Sequence, residues 1–203
     1  MARDNDIEKF ESTKLSAEQG NVNAQNTLGF MYETGQGVAQ DYTQAVKWLK
    51  LAAAQGFPIA QYNLANYYAN GSGVIQDYAE AVKWYKLAAL QGLPAAQYQI
   101  GNSFESGQGE MQDTVQAAMW YKLSAEQGYA DAQITLGVKY AKGQGLLQDY
   151  VMAHMWLNLA AAQGDKTAEH NRNIIANKMT EQQIAEAQNL AREYLEKTVK
   201  SSN

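Results

Sequence analysis

The sequence predicts an all-α protein made of tandem helix pairs, because several residue types recur every 36 positions. The four tryptophans keep this interval, at Trp48, Trp84, Trp120 and Trp156. Four aspartates keep it as well, at Asp41, Asp77, Asp113 and Asp149. All 16 glycines also fall at repeat positions. The hydrophobic residues are largely alanine and tyrosine rather than runs of valine and isoleucine, which favours packed helices over a buried sheet.

Each 36-residue unit is interpreted as two helices, here called helix A and helix B. In the unit at 21–56, helix A carries Ala24, Leu28 and Tyr32 on one face, at helical spacing. We predict that this helix ends at Gly35, the first glycine of a Gly-x-Gly pair that recurs in every unit. Both prolines of the chain fall in the first turn of a later helix A, where a missing N–H group has no cost.

Helix B is predicted to begin at Asp41, whose carboxylate can accept backbone N–H groups of the first turn. Gln44 stands three residues later and predicts a reciprocal capping box, in which its side chain binds the N–H of Asp41. The apolar stripe of helix B includes Trp48, so we predict the tryptophans to be core residues. Gly56 is expected to end the helix.

This register predicts a single domain of stacked units. Its segments are an N-terminal half-repeat helix at 7–20, four repeats at 21–56, 57–92, 93–128 and 129–164, a degenerate half-repeat with a capping helix at 165–197, and a frayed tail at 198–203. In the degenerate half-repeat, Arg172 and Asn173 replace the usual leucine and glycine. Thr180 with Gln183 predicts a capping box at the start of the last helix, which has one apolar face and one polar face, as a terminal cap should.

The repeated pattern A-x-x-x-L-G-x-x-Y-x-x-G-x-G-V-x-x-D-Y-x-x-A-x-x-W-x-x-x-A-A-x-Q-G, within residues 10–175, resembles the Sel-1-like repeat, a relative of the tetratricopeptide repeat. The resemblance implies a right-handed α/α superhelix, or solenoid, with a concave surface lined by the A helices. It also implies a bacterial scaffold or adaptor that binds other proteins. Cysteine-rich relatives are associated with penicillin binding, but this chain has no cysteine, so that property is not carried over.

Composition limits the other function classes. The formal net charge is −5, without a basic patch, which argues against binding to nucleic acid or to an anionic membrane. No apolar stretch has the length of a signal peptide or of a membrane span. The compartment stays open between the bacterial cytoplasm and, if an export signal was removed, the periplasm or the exterior. We expect a monomer without membrane insertion.

The search for catalytic chemistry gives no candidate, and we expect neither an enzyme nor a cofactor or metal site. The two histidines, His154 and His170, belong to no His-Glu-x-x-His motif. The Gly-x-Gly pairs follow helices and lack the preceding strand of a dinucleotide-binding motif. The four aspartates of the B helices are too far apart for paired acid–base work, so capping explains them better.

A partner-binding face is the remaining prediction. In the register of the related repeats, the A helices present to the groove Asn26, Phe30, Glu33, Tyr62, Asn66, Tyr98, Asn102, Glu105, Asp131 and Val138. Asn66 and Asn102 can each hydrogen-bond the backbone of an extended peptide, and the acidic members favour a partner with some positive charge. The two tyrosines either contact the partner or pack between neighbouring helices, and the sequence does not decide between these roles.

Two other functions stay open at this point. The first is a hydrolase acting on cell-wall or β-lactam substrates, although the chain lacks a Ser-x-x-Lys motif. The second is a structural protein that assembles end to end, as solenoids can. The polar face of the last helix argues against open stacking.

Overall fold

The structure, a computed structural model, describes residues 2–201. All regular secondary structure in this range is α-helical. The helices are α1 (Ala2–Glu18), α2 (Val22–Thr34), α3 (Tyr42–Ala54), α4 (Pro58–Asn70), α5 (Tyr78–Leu90), α6 (Pro94–Ser106), α7 (Thr114–Ala125), α8 (Ala130–Lys142), α9 (Tyr150–Ala162), α10 (Lys166–Ala176) and α11 (Glu181–Ser201). The predicted A helices are α2, α4, α6, α8 and α10, and the predicted B helices are α3, α5, α7 and α9.

Contacts divide the chain into two compact units. Unit 1 comprises the residues up to Ala96 together with Gln108–Met111, and unit 2 comprises Gln97–Gly107 together with the residues from Gln112 onward. Within unit 1, the helices from α1 to α5 pack against their neighbours in sequence. Within unit 2, α7 packs on α8, α8 on α9, and α9 on both α10 and α11. A single domain over the whole chain stays a prediction.

The helix ends follow the predicted turn chemistry in the first repeat. Helix α2 ends at Gly35, which adopts the left-handed conformation, at φ 72°, and donates its N–H to the carbonyl of Met31. Helix α3 begins after Asp41, whose Oδ1 accepts the backbone N–H groups of Thr43, at 2.9 Å, and of Gln44, at 3.0 Å. The N-cap prediction is therefore confirmed, and aspartate fills the same role before α5, α7 and α9.

The reciprocal half of the predicted capping box is wrong in the B helices. The backbone N–H of Asp41 donates to the carbonyl of Tyr32 in α2, at 2.9 Å, so it is not available to Gln44. The same bond joins helix A to helix B in the other three repeats. A local capping rule could not foresee a partner from the preceding helix. At α11 the full box does form: Thr180 N–H donates to Gln183 Oε1 at 2.9 Å, and Gln183 N–H donates to Thr180 Oγ1 at 3.2 Å.

Buried glutamines link successive repeats. The helix A glutamines Gln25, Gln61, Gln97 and Gln133 are 2–6% exposed. In unit 1, Gln61 Nε2 donates to the carbonyl of Ala53, at 3.2 Å, and Gln61 Oε1 accepts from Gln91 Nε2, at 2.8 Å. Both ends of this carboxamide are therefore satisfied inside the protein, which is the condition for burying it without a large penalty. Sequence reasoning missed these residues, although their 36-residue spacing was visible.

We expect Gln61→Leu to lower the free energy of unfolding by about 2 kcal/mol, because the buried carbonyl of Ala53 loses its side-chain donor and Gln91 loses its acceptor. Urea unfolding monitored by circular dichroism measures the change. Gln182→Leu, at an exposed glutamine of α11, is the matched control, with an expected change below about 0.5 kcal/mol. Equal stability of the two variants would show that the buried carboxamide contributes nothing.

The tryptophans are only in part the core residues that the sequence predicts. Trp48 and Trp156 are buried, at 9% and 3% exposure. Trp84 and Trp120 are half-buried, and the indole Nε1 of Trp84 donates to Glu80 Oε1 at 3.0 Å. The repeat position alone therefore does not fix burial, because the neighbouring side chains differ between repeats.

The helices at both ends of the chain are longer than the sequence predicts. The N-terminal helix α1 starts at Ala2 rather than at residue 7, and it buries Phe10 and Ala17 in a cluster with Trp48. Helix α11 extends to Ser201, beyond the predicted end at residue 197. It covers α9 through a T-shaped contact between Trp156 and Tyr194, with ring centroids 5.5 Å apart. The last two residues of the predicted frayed tail lie outside the described residues.

Candidate partner-binding face

In unit 1, the A helices α2 and α4 carry five of the predicted binding residues. Phe30 is the most open of them, at 53% exposure. Asn26, Glu33, Tyr62 and Asn66 are half-buried. Burial raises the pKa of the Tyr67 hydroxyl above its ordinary value, and the nearby carboxylate of Glu33 raises it further. This surface is therefore partly open to solvent.

The two predicted peptide-binding asparagines are held by tyrosines of the B helices. Tyr85 donates its hydroxyl hydrogen to Asn66 Oδ1 at 2.5 Å, and Tyr121 donates to Asn102 Oδ1 at 2.7 Å. Burial raises the pKa of both tyrosines, so each hydroxyl stays a donor. The carboxamide orientation is thereby fixed, with the oxygen turned inward. Asn102 also donates its Nδ2 to Gln99 Oε1 at 2.9 Å.

The tyrosines of the predicted face pack against B helices, and Tyr98 also packs against Tyr129, the N-cap residue of the next A helix, α8. The ring centroid of Tyr62 lies 5.8 Å from that of Tyr85. The ring centroid of Tyr98 lies 5.4 Å from that of Tyr121 and 5.5 Å from that of Tyr129. These tilted contacts are typical of aromatic packing. Packing is thus one role of Tyr62 and Tyr98, while their partial exposure leaves ring edges accessible.

In unit 2, the negative charge of Glu105 is balanced by an ion pair with Lys139. Glu105 Oε2 lies 2.5 Å from Nζ of Lys139, whose side chain is only 4% exposed. The ammonium group of Lys139 also lies 5.6 Å from the ring centroid of Tyr121. Lys139 occupies the repeat position of the buried residues Met31 and Tyr67. Sequence reasoning treated Glu105 as an acid free for a partner and missed this lysine.

Two clefts open beside α8 in unit 2, and Val138 lines both. The smaller, of about 230 Å³, lies between α6 and α8 and includes Glu105 and Ile134. The larger, of about 410 Å³, lies among α8, α9 and α10 and includes Ile174. Ile174 occupies the same repeat position as Asn102 and Val138, so the helix A face continues into α10. The predicted face omitted this residue because the helix A motif is degraded around Arg172.

Four consecutive segments of the chain match one family of repeats. The Sel1 repeat matches residues 22–57, 58–93, 94–129 and 130–165, which is most of the chain. The chain belongs to the Sel1 repeat family. The resemblance inferred from the repeat pattern is therefore confirmed, and so is the all-α fold class of tandem helix pairs, an α/α solenoid. Sel1 repeats are generally protein–protein interaction modules, and scaffold proteins built from them are generally not enzymes.

Solved structures agree with this family assignment. A Sel1 repeat protein from Oxalobacter formigenes is 39% identical, with a TM-score of 0.75, over 81% of this chain and 48% of its own. A protective antigen of uropathogenic Escherichia coli with an SLR fold is 29% identical, with a TM-score of 0.57, over 95% of this chain and 57% of its own. This Sel1 repeat chain thus spans about half the length of both. An immunity protein from Pseudomonas aeruginosa shares the fold at 20% identity, with a TM-score of 0.54, over 91% of this chain and 73% of its own. A comparison with curated proteins gave no match.

Asp131, the remaining predicted binding residue, and His154, which belongs to no predicted site, both lie in unit 2 of this Sel1 repeat protein. Asp131 is exposed in the first turn of α8, where a negative charge is favourable. His154 is buried, and burial together with the positive charge of Arg172 lowers its pKa. Within residues 2–201, no three or more potential metal-ligating side chains cluster together. None of the helices in that range combines the length and apolar character needed to cross a bilayer.

Proposed function

We propose that this protein is a scaffold or adaptor that binds a peptide or protein segment on its helix A face. The family resemblance implies that this face is concave. One observation carries the proposal: Asn66 and Asn102 stand at the same repeat position, and a buried tyrosine fixes each carboxamide. A polar group held by a second layer of hydrogen bonds loses little conformational freedom on binding. Each such group suits the backbone of an extended segment.

The surroundings of the asparagines support the same proposal. Phe30, in unit 1, offers an exposed aromatic ring, and Tyr62 is half-buried beside Asn66. In unit 2, half-buried Tyr98 precedes Asn102 by one helical turn, and Glu105 follows it. Aromatic rings with a polar neighbour are typical anchors in protein interfaces. We infer binding without catalysis, by a chain that acts as a monomer and does not bind nucleic acid.

The double variant Asn66→Asp/Asn102→Asp tests the proposal. Aspartate keeps the oxygen that accepts the tyrosine hydroxyl but removes the N–H donors, including the one that Asn102 gives to Gln99. We expect the fold to be retained and binding to be lost, and circular dichroism of the variant checks the fold. We expect affinity for a captured partner to fall about tenfold or more, the size of one or two lost hydrogen bonds to a peptide backbone. Affinity capture from lysate of the native organism, followed by titration with the captured partner, measures this change.

A control variant separates the lost donors from the added charge. Gln182→Glu/Gln188→Glu makes the same amide-to-acid change twice, at exposed positions of α11, and should leave the affinity unchanged. If the partner binds the Asn66→Asp/Asn102→Asp variant as tightly as the original chain, the proposed face is wrong. If the control loses affinity equally, added charge and not the asparagines explains the effect.

A further inference from the structure

The larger cleft of unit 2 combines an apolar floor with two lysines. Its floor is formed by Val138 of α8, Leu157 of α9, and Ile174 and Ile175 of α10. Leu157 is 1% exposed and Ile175 is 7% exposed, whereas Ile174 is 44% exposed at the mouth of the cleft. The volume of about 410 Å³ falls in the range of ligand-binding clefts, roughly 300–1,000 Å³.

The two lysines stand at equivalent repeat positions on the rim. Lys142 is the last residue of α8, and Lys178 follows the end of α10, 36 residues later. Both are exposed, and Nζ of Lys178 lies 5.7 Å from the ring centroid of Tyr150. No acidic side chain lines this cleft in the described part of the chain. The rim is therefore positively charged on a chain whose net charge is −5.

Helix capping does not explain these lysines. A cation near a helix C-terminus is favourable, but the same repeat position at the ends of α2, α4 and α6 holds Thr34, Asn70 and Ser106. Those helices end, as α8 does, at a glycine with positive φ, but without a lysine; α10 ends instead at Asn177. At this repeat position, lysine occurs only at the ends of the two A helices that flank the apolar cleft.

We propose that this cleft binds a partner segment in which one large aliphatic side chain is flanked by aspartate or glutamate residues. This inference rests on the proposed function and names the chemistry of the partner at one site. The aliphatic side chain covers half-buried Val138 and exposed Ile174, and removes their apolar surface from water. The flanking carboxylates pair with Lys142 and Lys178. Asn171, which also lines the cleft, is placed to hydrogen-bond the backbone of the segment.

Titration of the full ¹⁵N-labelled chain with three synthetic peptides tests the inference by nuclear magnetic resonance. The peptides are Gly-Glu-Leu-Glu-Gly, Gly-Lys-Leu-Lys-Gly and Gly-Glu-Ser-Glu-Gly, each with blocked termini. We expect the first to shift the amide signals around Val138 and Ile174, and to bind about tenfold more tightly than the other two, because it alone supplies both the aliphatic group and the carboxylates. High salt should weaken its binding.

Charge reversal at the rim supplies the second part of the test. Lys142→Glu/Lys178→Glu should reverse the preference, so that the lysine peptide binds more tightly than the glutamate peptide. Lys166→Glu/Lys197→Glu, at exposed lysines of α10 and α11 outside the cleft, is the matched control and should keep the original preference. A preference that survives reversal at Lys142 and Lys178 would overturn the inference.

The result also separates this inference from the proposed function. If the peptides shift signals around Asn66 and Asn102 but not around Ile174, the cleft proposal fails while binding on the helix A face stands. If the glutamate peptide shifts neither region at millimolar concentration, the cleft proposal fails as well, and the capture experiment with the asparagine variant then decides the proposed function by itself.

Discussion

Gly145→Ala is expected to lower the free energy of unfolding by about 3–5 kcal/mol. Gly145 follows α8 and adopts φ 73°, which costs an alanine about 1–2 kcal/mol. A Cβ atom at this position would also lie 2.1 Å from the carbonyl oxygen of Thr114, at the start of α7. That oxygen belongs to the backbone, so the loop and the preceding helix B would have to separate.

Gly128→Ala is the matched control, because it imposes the same backbone conformation without the collision. Gly128 has φ 85°, and a Cβ atom there would meet nothing within 4 Å. We expect a loss of about 1 kcal/mol. Urea unfolding of both variants, monitored by circular dichroism, gives the comparison. A difference below about 0.5 kcal/mol would mean that close contact at Gly145 does not hold the repeats together.

Glu105→Ala is expected to destabilise the fold by about 1–3 kcal/mol, because it leaves the buried ammonium group of Lys139 without its partner. The expected loss is below that of a fully buried pair, since the Glu105 side chain is 39% exposed and partly screened by water. Lys139→Met should be tolerated or even stabilising. It introduces the residue found at the equivalent buried position, Met31, and removes a charge that is costly to bury.

The double variant Glu105→Ala/Lys139→Met completes a thermodynamic cycle. We expect it to recover most of the stability lost in Glu105→Ala, with a coupling energy of about 1 kcal/mol or more. Equal and additive losses from both single variants would contradict the ion pair as described. Denaturant unfolding of the four proteins at one pH measures the coupling.

The fold was predictable because repetition makes the sequence redundant. Positions such as Trp48, Gly35 and Asp41 recur in each repeat, so a helix boundary that one copy leaves ambiguous is defined by the others. Helix-capping rules, which consider only neighbouring residues, failed where the hydrogen-bond partner lies in another helix. The N–H of Asp41 binds the carbonyl of Tyr32 rather than the side chain of Gln44, and no short-range capping rule contains that contact.

The candidate site was predictable to a smaller degree. Register alone selected Phe30 and Asp131, which are exposed, and Val138, which is half-buried and lines two clefts. It did not show that Lys139 neutralises Glu105, because a charge at a core position interrupts the pattern and its partner lies one repeat away. The register also failed to include Ile174, because the helix A motif is degraded around Arg172 although the helix itself is present. Side-chain partners require the packed structure.

Site-specific photo-cross-linking distinguishes a partner bound on the helix A face from one bound on the B helices. A photoreactive phenylalanine derivative is placed either at Phe30 of α2, which is 53% exposed, or at Leu90 of the B helix α5, which is 78% exposed. We expect the captured partner to be cross-linked from position 30 and not from position 90, although position 90 is the more accessible. Cross-linking from position 90 alone would contradict it and assign the interface to the B helices.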